Sequence, residues 1–202
     1  MIANMRLTVV ATLVAAVFMA QPAFAEGDAE SGEALAYTCL GCHGIPGYRN
    51  MYPSYRVPKL GGQKAAYLEV ALNGYRSGMR QHPTMGAQAN SMSEQDIKDV
   101  SAYLATLGAD TVAAGGEQAP AFDKAMVCQA CHGPNGIGAS PVWPTLAGQH
   151  QDYIEHSLKA YRDGDRKDPV MAPMAAALTD ADIKALAAYY SGLKGLETTK
   201  AE

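Results

Sequence analysis

The chain is written twice. Pro58-Lys-Leu-Gly-Gly-Gln63 recurs as Pro144-Thr-Leu-Ala-Gly-Gln149, and at the same offset of 86 residues Tyr67, Leu72, Tyr75, Arg76, Gly78, Arg80, Pro83 and Met85 meet Tyr153, Leu158, Tyr161, Arg162, Gly164, Arg166, Pro169 and Met171. Asp96-Ile-Lys98 and Ala102-Tyr103 extend the match to Asp182-Ile-Lys184 and Ala188-Tyr189. Register kept over so many positions is a duplicated domain, so the fold must be two similar units rather than one large core. A Cys-x-x-Cys-His motif in each copy sits at an offset of 89, which gives the first copy three extra residues. They fall in Tyr48-Arg-Asn-Met-Tyr-Pro-Ser-Tyr-Arg56, a loop by its Pro and Asn content. Ala109 to Gln118 has no sustained apolar period and contains a Gly pair, so it reads as a connector. The predicted division is 26–110, a linker at 111–116, and 117–202.

Each copy shows three helical patterns, at about 28–38, 64–78 and 94–107 in the first and 120–127, 150–163 and 180–193 in the second. Ser93-Glu-Gln-Asp96 and Thr179-Asp-Ala-Asp182 are N-cap patterns, followed by apolar residues at helical spacing. No alternating β-branched run predicts a sheet, so the expected class is all-α. Domains of about 85 residues are marginal on burial alone, which requires something else to fill their cores.

Met1 to Arg6, the uncharged run Leu7 to Ala20 and Ala23-Phe-Ala25 follow the grammar of a secretory signal cleaved after residue 25. The apolar run is too short for a spanning helix, which takes about 20 residues. The expected location is therefore a periplasm, with the mature chain soluble or peripherally attached to a membrane. A net charge of −4 without a Lys/Arg cluster excludes a general nucleic-acid binder.

Cys39-Leu-Gly-Cys42-His43 and Cys128-Gln-Ala-Cys131-His132 account for all four cysteines. Two thiols spaced in this way reach the two vinyl groups of one porphyrin, and the histidine that follows supplies an axial ligand to its iron. A four-cysteine zinc site leaves the paired histidines unexplained. A thioredoxin-like pair lacks its βαβ context, and disulfides across two residues close loops too small to stabilise much. The expected cofactors are two covalent haem c groups. A methionine is the natural sixth ligand of an electron-transfer haem. Met85 and Met171 alone hold the same place in both copies, with Met174 and Met92 as nearest rivals. His82, His150 and His156 have no symmetric partners and are expected at the surface.

These motifs, with the Pro-x-Leu-x-Gly-Gln segments, the Tyr-Arg-x-Gly helices and Leu178-Thr-Asp-Ala-Asp-Ile183, resemble the cytochrome c4 family of periplasmic dihaem electron carriers. The resemblance covers the whole chain after residue 25. It implies two tandem cytochrome c-like helical domains, each wrapped around one haem, with Met85 and Met171 as distal ligands. It also implies that Pro58 and Pro144 offer backbone carbonyls to the proximal histidines. Loop 48–56 and Met92 depart from the family pattern. By resemblance the donor is a membrane-bound quinol-oxidising complex and the acceptor a terminal oxidase.

No phosphate loop, nucleophile elbow or zinc-protease helix is present, so the expected activity is outer-sphere transfer of single electrons rather than catalysis. A haem subunit of a larger respiratory complex and a dihaem peroxidase are the alternatives; the latter needs an open iron position. Arg49, Arg56, Lys59 and Lys64 form a stretch without acids, whereas Gly133 to Gln149 is uncharged. The four cations are expected to dock on an acidic partner, and the uncharged segment with Trp143 to lie between the domains or at an apolar dock.

Overall fold

The computed structural model describes residues 26–113 and 119–199. The predicted signal segment, 1–25, lies outside the described residues. The first copy contains α1 (Ala29–His43), α2 (Ala65–Arg76), α3 (Pro83–Ser91) and α4 (Glu94–Thr106), followed by a short α5 (Ala109–Ala113). The second contains a 3-10 turn at Asp123–Ala125, then α6 (Met126–His132), α7 (Gln151–Asp163), α8 (Met171–Ala176) and α9 (Asp180–Ser191).

Both final helices begin as the sequence predicts. Ser93 and Thr179 each accept from the backbone N–H three residues on, and Asp96 and Asp182 return the bond to the N-cap backbone. Each such cap stabilises by about 1 kcal/mol. Behind them Ile97, Val100 and Leu104 close the first core with Ala36, Leu40, Leu68 and Leu72. Leu186, Ala187 and Tyr190 close the second with Ala125 and Ile154. Each copy thus has its own apolar centre.

Helices α1 and α4 cross closely because α1 carries Gly32 at the contact, where a Cβ would run into the backbone oxygen of Asp99. The α1 helix continues through the whole cysteine motif, beyond the 28–38 expected. Its counterpart is shorter than expected and starts late, at Met126, because Pro120 and the extended Phe122 hold the preceding chain out of helix.

Two further differences concern the connector and the tail. Residues 109–113 of the predicted connector region are helical and set Val112 against Gly62; residues 114–118 lie outside the described part. Beyond α9 the chain runs back to the first copy, where Gly61 and Glu197 exchange backbone hydrogen bonds at 3.1 Å in both directions. No described helix is long and apolar enough to cross a membrane.

The Gly32 contact gives a direct test of the first domain. Alanine is the better helix former by about 1 kcal/mol. Gly32→Ala is nevertheless expected to destabilise by about 1–3 kcal/mol through overpacking against Asp99, read as a lower thermal midpoint of the holoprotein.

Candidate functional site

In the first domain α1 ends on Cys39, Cys42 and His43. His43 Nδ1 lies 2.8 Å from the carbonyl oxygen of Pro58. A carbonyl only accepts, so Nδ1 carries the proton and Nε2 keeps its lone pair for a metal. Helix α6 repeats the arrangement, with His132 Nδ1 3.0 Å from Pro144 O. Burial holds both imidazoles below their ordinary pKa, opposed by these same carbonyls. Burial pushes the Cys39 and Cys128 thiols up. No disulfide joins any of the four cysteines.

The methionines that share a repeat position both stand at the start of a short helix that the sequence patterns did not reveal. Met85 is the third residue of α3, and its N–H donates to His82 Nδ1 at 3.2 Å. Met171 is the first residue of α8, and its N–H donates to Asp168 Oδ1 at 2.8 Å. His82 and Asp168 are repeat equivalents, so two unlike side chains each accept from the backbone N–H of the methionine three residues on. Met85 packs on the first apolar core. Of the rivals, Met174 is 39% exposed. The Met92 carbonyl accepts from Arg76 at 2.6 Å, just as Leu178 O accepts from Arg162 at 3.3 Å. The Tyr-Arg motif therefore ties the second helix of each domain to the end of the methionine helix.

The donor set in each domain is two thiols, an imidazole with a free Nε2, and a thioether side chain. It fits a haem c, with the cysteines as attachment points and the histidine as iron ligand.

The histidines outside this set are not loose at the surface as expected; all three are half-buried. His82 is fixed by Met85 and by Asn50 Oδ1, 3.1 Å from its Nε2. His156 stacks on Tyr55 of the other domain, with centroids 4.1 Å apart. Crowding by burial and by Arg56 and Lys59 brings His150 down to about 4.

The basic stretch finds acceptors within the chain. Arg49 and Arg56 both hold Asp152 of α7, each with a closest contact of 3.1 Å, and the Arg56 N–H donates to the same carboxylate. Lys59 Nζ donates to Gly148 O, and Lys64 Nζ to Gly138 O and Ser140 O. The four cations are spent on the second domain, because Asp152 and the carbonyls of the uncharged segment provide their acceptors. Loop 48–56 is thus a clasp between domains, and Gly138 to Gly148 is its counterpart. Trp143 itself remains 40% exposed.

The Pro-x-Leu-x-Gly-Gln segments recur in the sequence, but their task is visible only in the fold. Gln63 Nε2 donates to Thr145 O and its Oε1 accepts from Thr145 N–H, both at 3.0 Å. Gln149 does the same with the Lys59 backbone, both at 2.9 Å. Lys59 and Thr145 are repeat equivalents, so the contact is a pseudo-two-fold exchange. Gly62 and Gly148, at φ of 79° and 76°, take a backbone conformation that favours glycine immediately before each glutamine. The in-register recurrence of a buried glutamine was the signal that could have found this.

Comparison with known proteins agrees with this geometry. The cytochrome c family matches residues 29–108 and again 119–194. Cytochrome c4 of Pseudomonas aeruginosa is similar, 33% identical over 186 residues, covering 85% of this chain and 91% of that one. A thiosulfate dehydrogenase electron acceptor of Stutzerimonas stutzeri is 33% identical over 179 residues, covering 81% and 82% of the two chains. The crystal structure of reduced recombinant cytochrome c4 from Pseudomonas stutzeri superposes with a TM-score of 0.64 at 31% identity, covering 83% of this chain and all of that one.

Asp152 yields a pH prediction. Burial works to raise its pKa, but the Arg56 backbone and side chain, with the Arg49 charge, bring it below the ordinary 3.8. A depressed carboxyl stabilises above its unfolded pKa and loses that contribution as pH falls through the folded one. The clasp is therefore expected to hold at neutral pH and weaken only below about pH 4. Asp152→Asn should lower the urea midpoint at neutral pH and flatten its acid dependence.

Proposed function

The chain belongs to the cytochrome c4 family of dihaem electron carriers, and from that membership we propose that it works in the periplasm between membrane-bound respiratory partners. In this reading a quinol-oxidising complex is the donor and a terminal oxidase the acceptor. The observation that carries the reading is the duplicated donor set: in each domain a histidine whose Nδ1 is tied to a proline carbonyl, and a methionine whose backbone N–H is held by His82 or Asp168. The two haem c motifs have His/Met axial ligation, and we assign the methionines as Met85 and Met171.

A haem c held by each motif would supply a one-electron Fe(III)/Fe(II) couple. The remaining work belongs to the chain. Cys39 and Cys42, and Cys128 and Cys131, would hold each macrocycle covalently. The Pro58 and Pro144 carbonyls keep the His43 and His132 protons on Nδ1, which fixes ring orientation and makes Nε2 the better donor. His82 and Asp168 fix the backbone at the methionines, so the thioethers are presented with little reorganisation. With His43 and Met85, and His132 and Met171, both engaged on the iron, the site would leave peroxide no place to bind. This favours a carrier over a peroxidase.

The similar Stutzerimonas stutzeri protein is named as an electron acceptor of thiosulfate dehydrogenase, and this supports a second reading of the donor. Reduction of the holoprotein by a quinol-oxidising membrane fraction and by a thiosulfate dehydrogenase separates the two.

Met85→Ala and Met171→Ala are each expected to abolish the methionine-to-iron charge-transfer band of one haem and lower that haem's potential. Potentials unmoved in both variants would contradict the ligand assignment.

A further inference from the structure

The methionines of the two domains are held by equivalent residues of unlike reach. In the second domain Asp168 Oδ1 accepts from the N–H groups of Val170 and Met171, at 2.9 Å and 2.8 Å, so the support is local. In the first domain His82 takes the equivalent place. Its Nδ1 accepts from the Met85 N–H at 3.2 Å, and its Nε2 lies 3.1 Å from Asn50 Oδ1. A ring nitrogen that accepts carries no proton, so the proton is on Nε2 and is donated to the asparagine. The imidazole is a two-ended strut between α3 and loop 48–56.

The far end of that strut stands on the other domain. Loop 48–56 closes as a narrow hairpin: Val57 N–H donates to Tyr48 O at 2.8 Å and Asn50 N–H to Tyr55 O at 2.9 Å, with Arg49 and Arg56 paired between them. The residues beside Asn50 are those that grip α7. Arg49 and Arg56 hold Asp152, and Tyr55, only 7% exposed, stacks on His156. From Asp152 to Met85 the path runs through the two arginines, the hairpin backbone, the Asn50 side chain and His82. It is short and contiguous, which makes its coupling measurable rather than a matter of proximity. The second copy lacks the three extra residues of this hairpin, and Asp168 holds Met171 without one.

We propose that Asn50 and His82 are positioning residues for Met85, through which docking of α7 on the hairpin sets how firmly the first domain's methionine binds iron. This rests on the reading of Met85 as a distal ligand. The methionine of the second domain is insensitive to the same contact. Methionine ligation raises the potential of a haem, so a methionine held less firmly gives a lower one. Loosening the clasp therefore lowers the potential of the first haem alone.

The test is a double-mutant cycle on the holoprotein, read by spectroelectrochemistry, with Asp152→Asn made in the native background and in Asn50→Ala. Met85→Ala and Met171→Ala assign the two haems. Asn50→Ala alone is expected to lower the first haem's potential and weaken its methionine-to-iron band, with the second haem unchanged. Added imidazole should displace that methionine at about two- to tenfold lower concentration, the weight of one hydrogen bond. The Asp152→Asn shift of the first haem is expected to be more negative in the native background than in Asn50→Ala, where only the loss of a negative charge acts, and that raises the potential. Should Asn50→Ala fail to take up haem, His82→Asp is the second background, since Asp168 shows that an aspartate holds a methionine N–H unaided; the same difference is expected. An Asp152→Asn shift no more negative in the native background overturns the path, as does Asn50→Ala with the first haem unmoved or both haems moved together. A methionine-to-iron band undiminished in Met85→Ala would instead overturn the ligand reading itself.

Discussion

The reciprocal exchange of Gln63 and Gln149 is the interaction on which the rest of the molecule depends. Each glutamine bonds both backbone groups of the residue after the other domain's proline, and those two prolines accept from the proximal histidines. One six-residue segment, used twice, therefore orients a haem ligand with its first residue and docks the opposite domain with its last. Displacing either glutamine would leave buried amide and backbone groups without partners, at a cost of about 1–3 kcal/mol per group. Ligand geometry and domain geometry are coupled through a few peptide units rather than through a long relay.

Around this exchange the duplication is only approximate, and its departures have a physical sense. The first copy's three extra residues build a clasp that places Tyr55 on His156 and two arginines on Asp152. The second copy answers with an uncharged loop whose carbonyls receive Lys59 and Lys64. The tail beyond α9 then pairs Glu197 with Gly61. Two small domains that would be marginal alone bury polar surface on each other, and the clasp adds charge-assisted bonds to Asp152.

Much of this was legible in the sequence. The cysteine motifs, the histidines and the phase of Met85 and Met171 follow from covalent and coordination chemistry that tolerates few residue types at few spacings. The final helices follow from Ser93 and Thr179, whose caps are local. Helices α3 and α8 escaped because they are short and because His82 and Asp168, chemically unlike, hold the methionine N–H groups at equivalent positions. The acceptors of the first domain's cations were not legible because charge along the chain does not name its partner: Asp152 lies 96 residues from Arg56. Gln63 and Gln149 were visible as repeats, but a repeat alone does not say whether a polar residue faces solvent or the other copy.

The two haem domains form one body, fixed by the exchange of their repeated segments. Pulsed electron paramagnetic resonance on the fully oxidised holoprotein measures the distance between the two low-spin irons directly. The account predicts a single narrow distance distribution that broadens when Gln63 and Gln149 are both replaced by alanine. A broad or multiple distribution in the unmodified protein would contradict it.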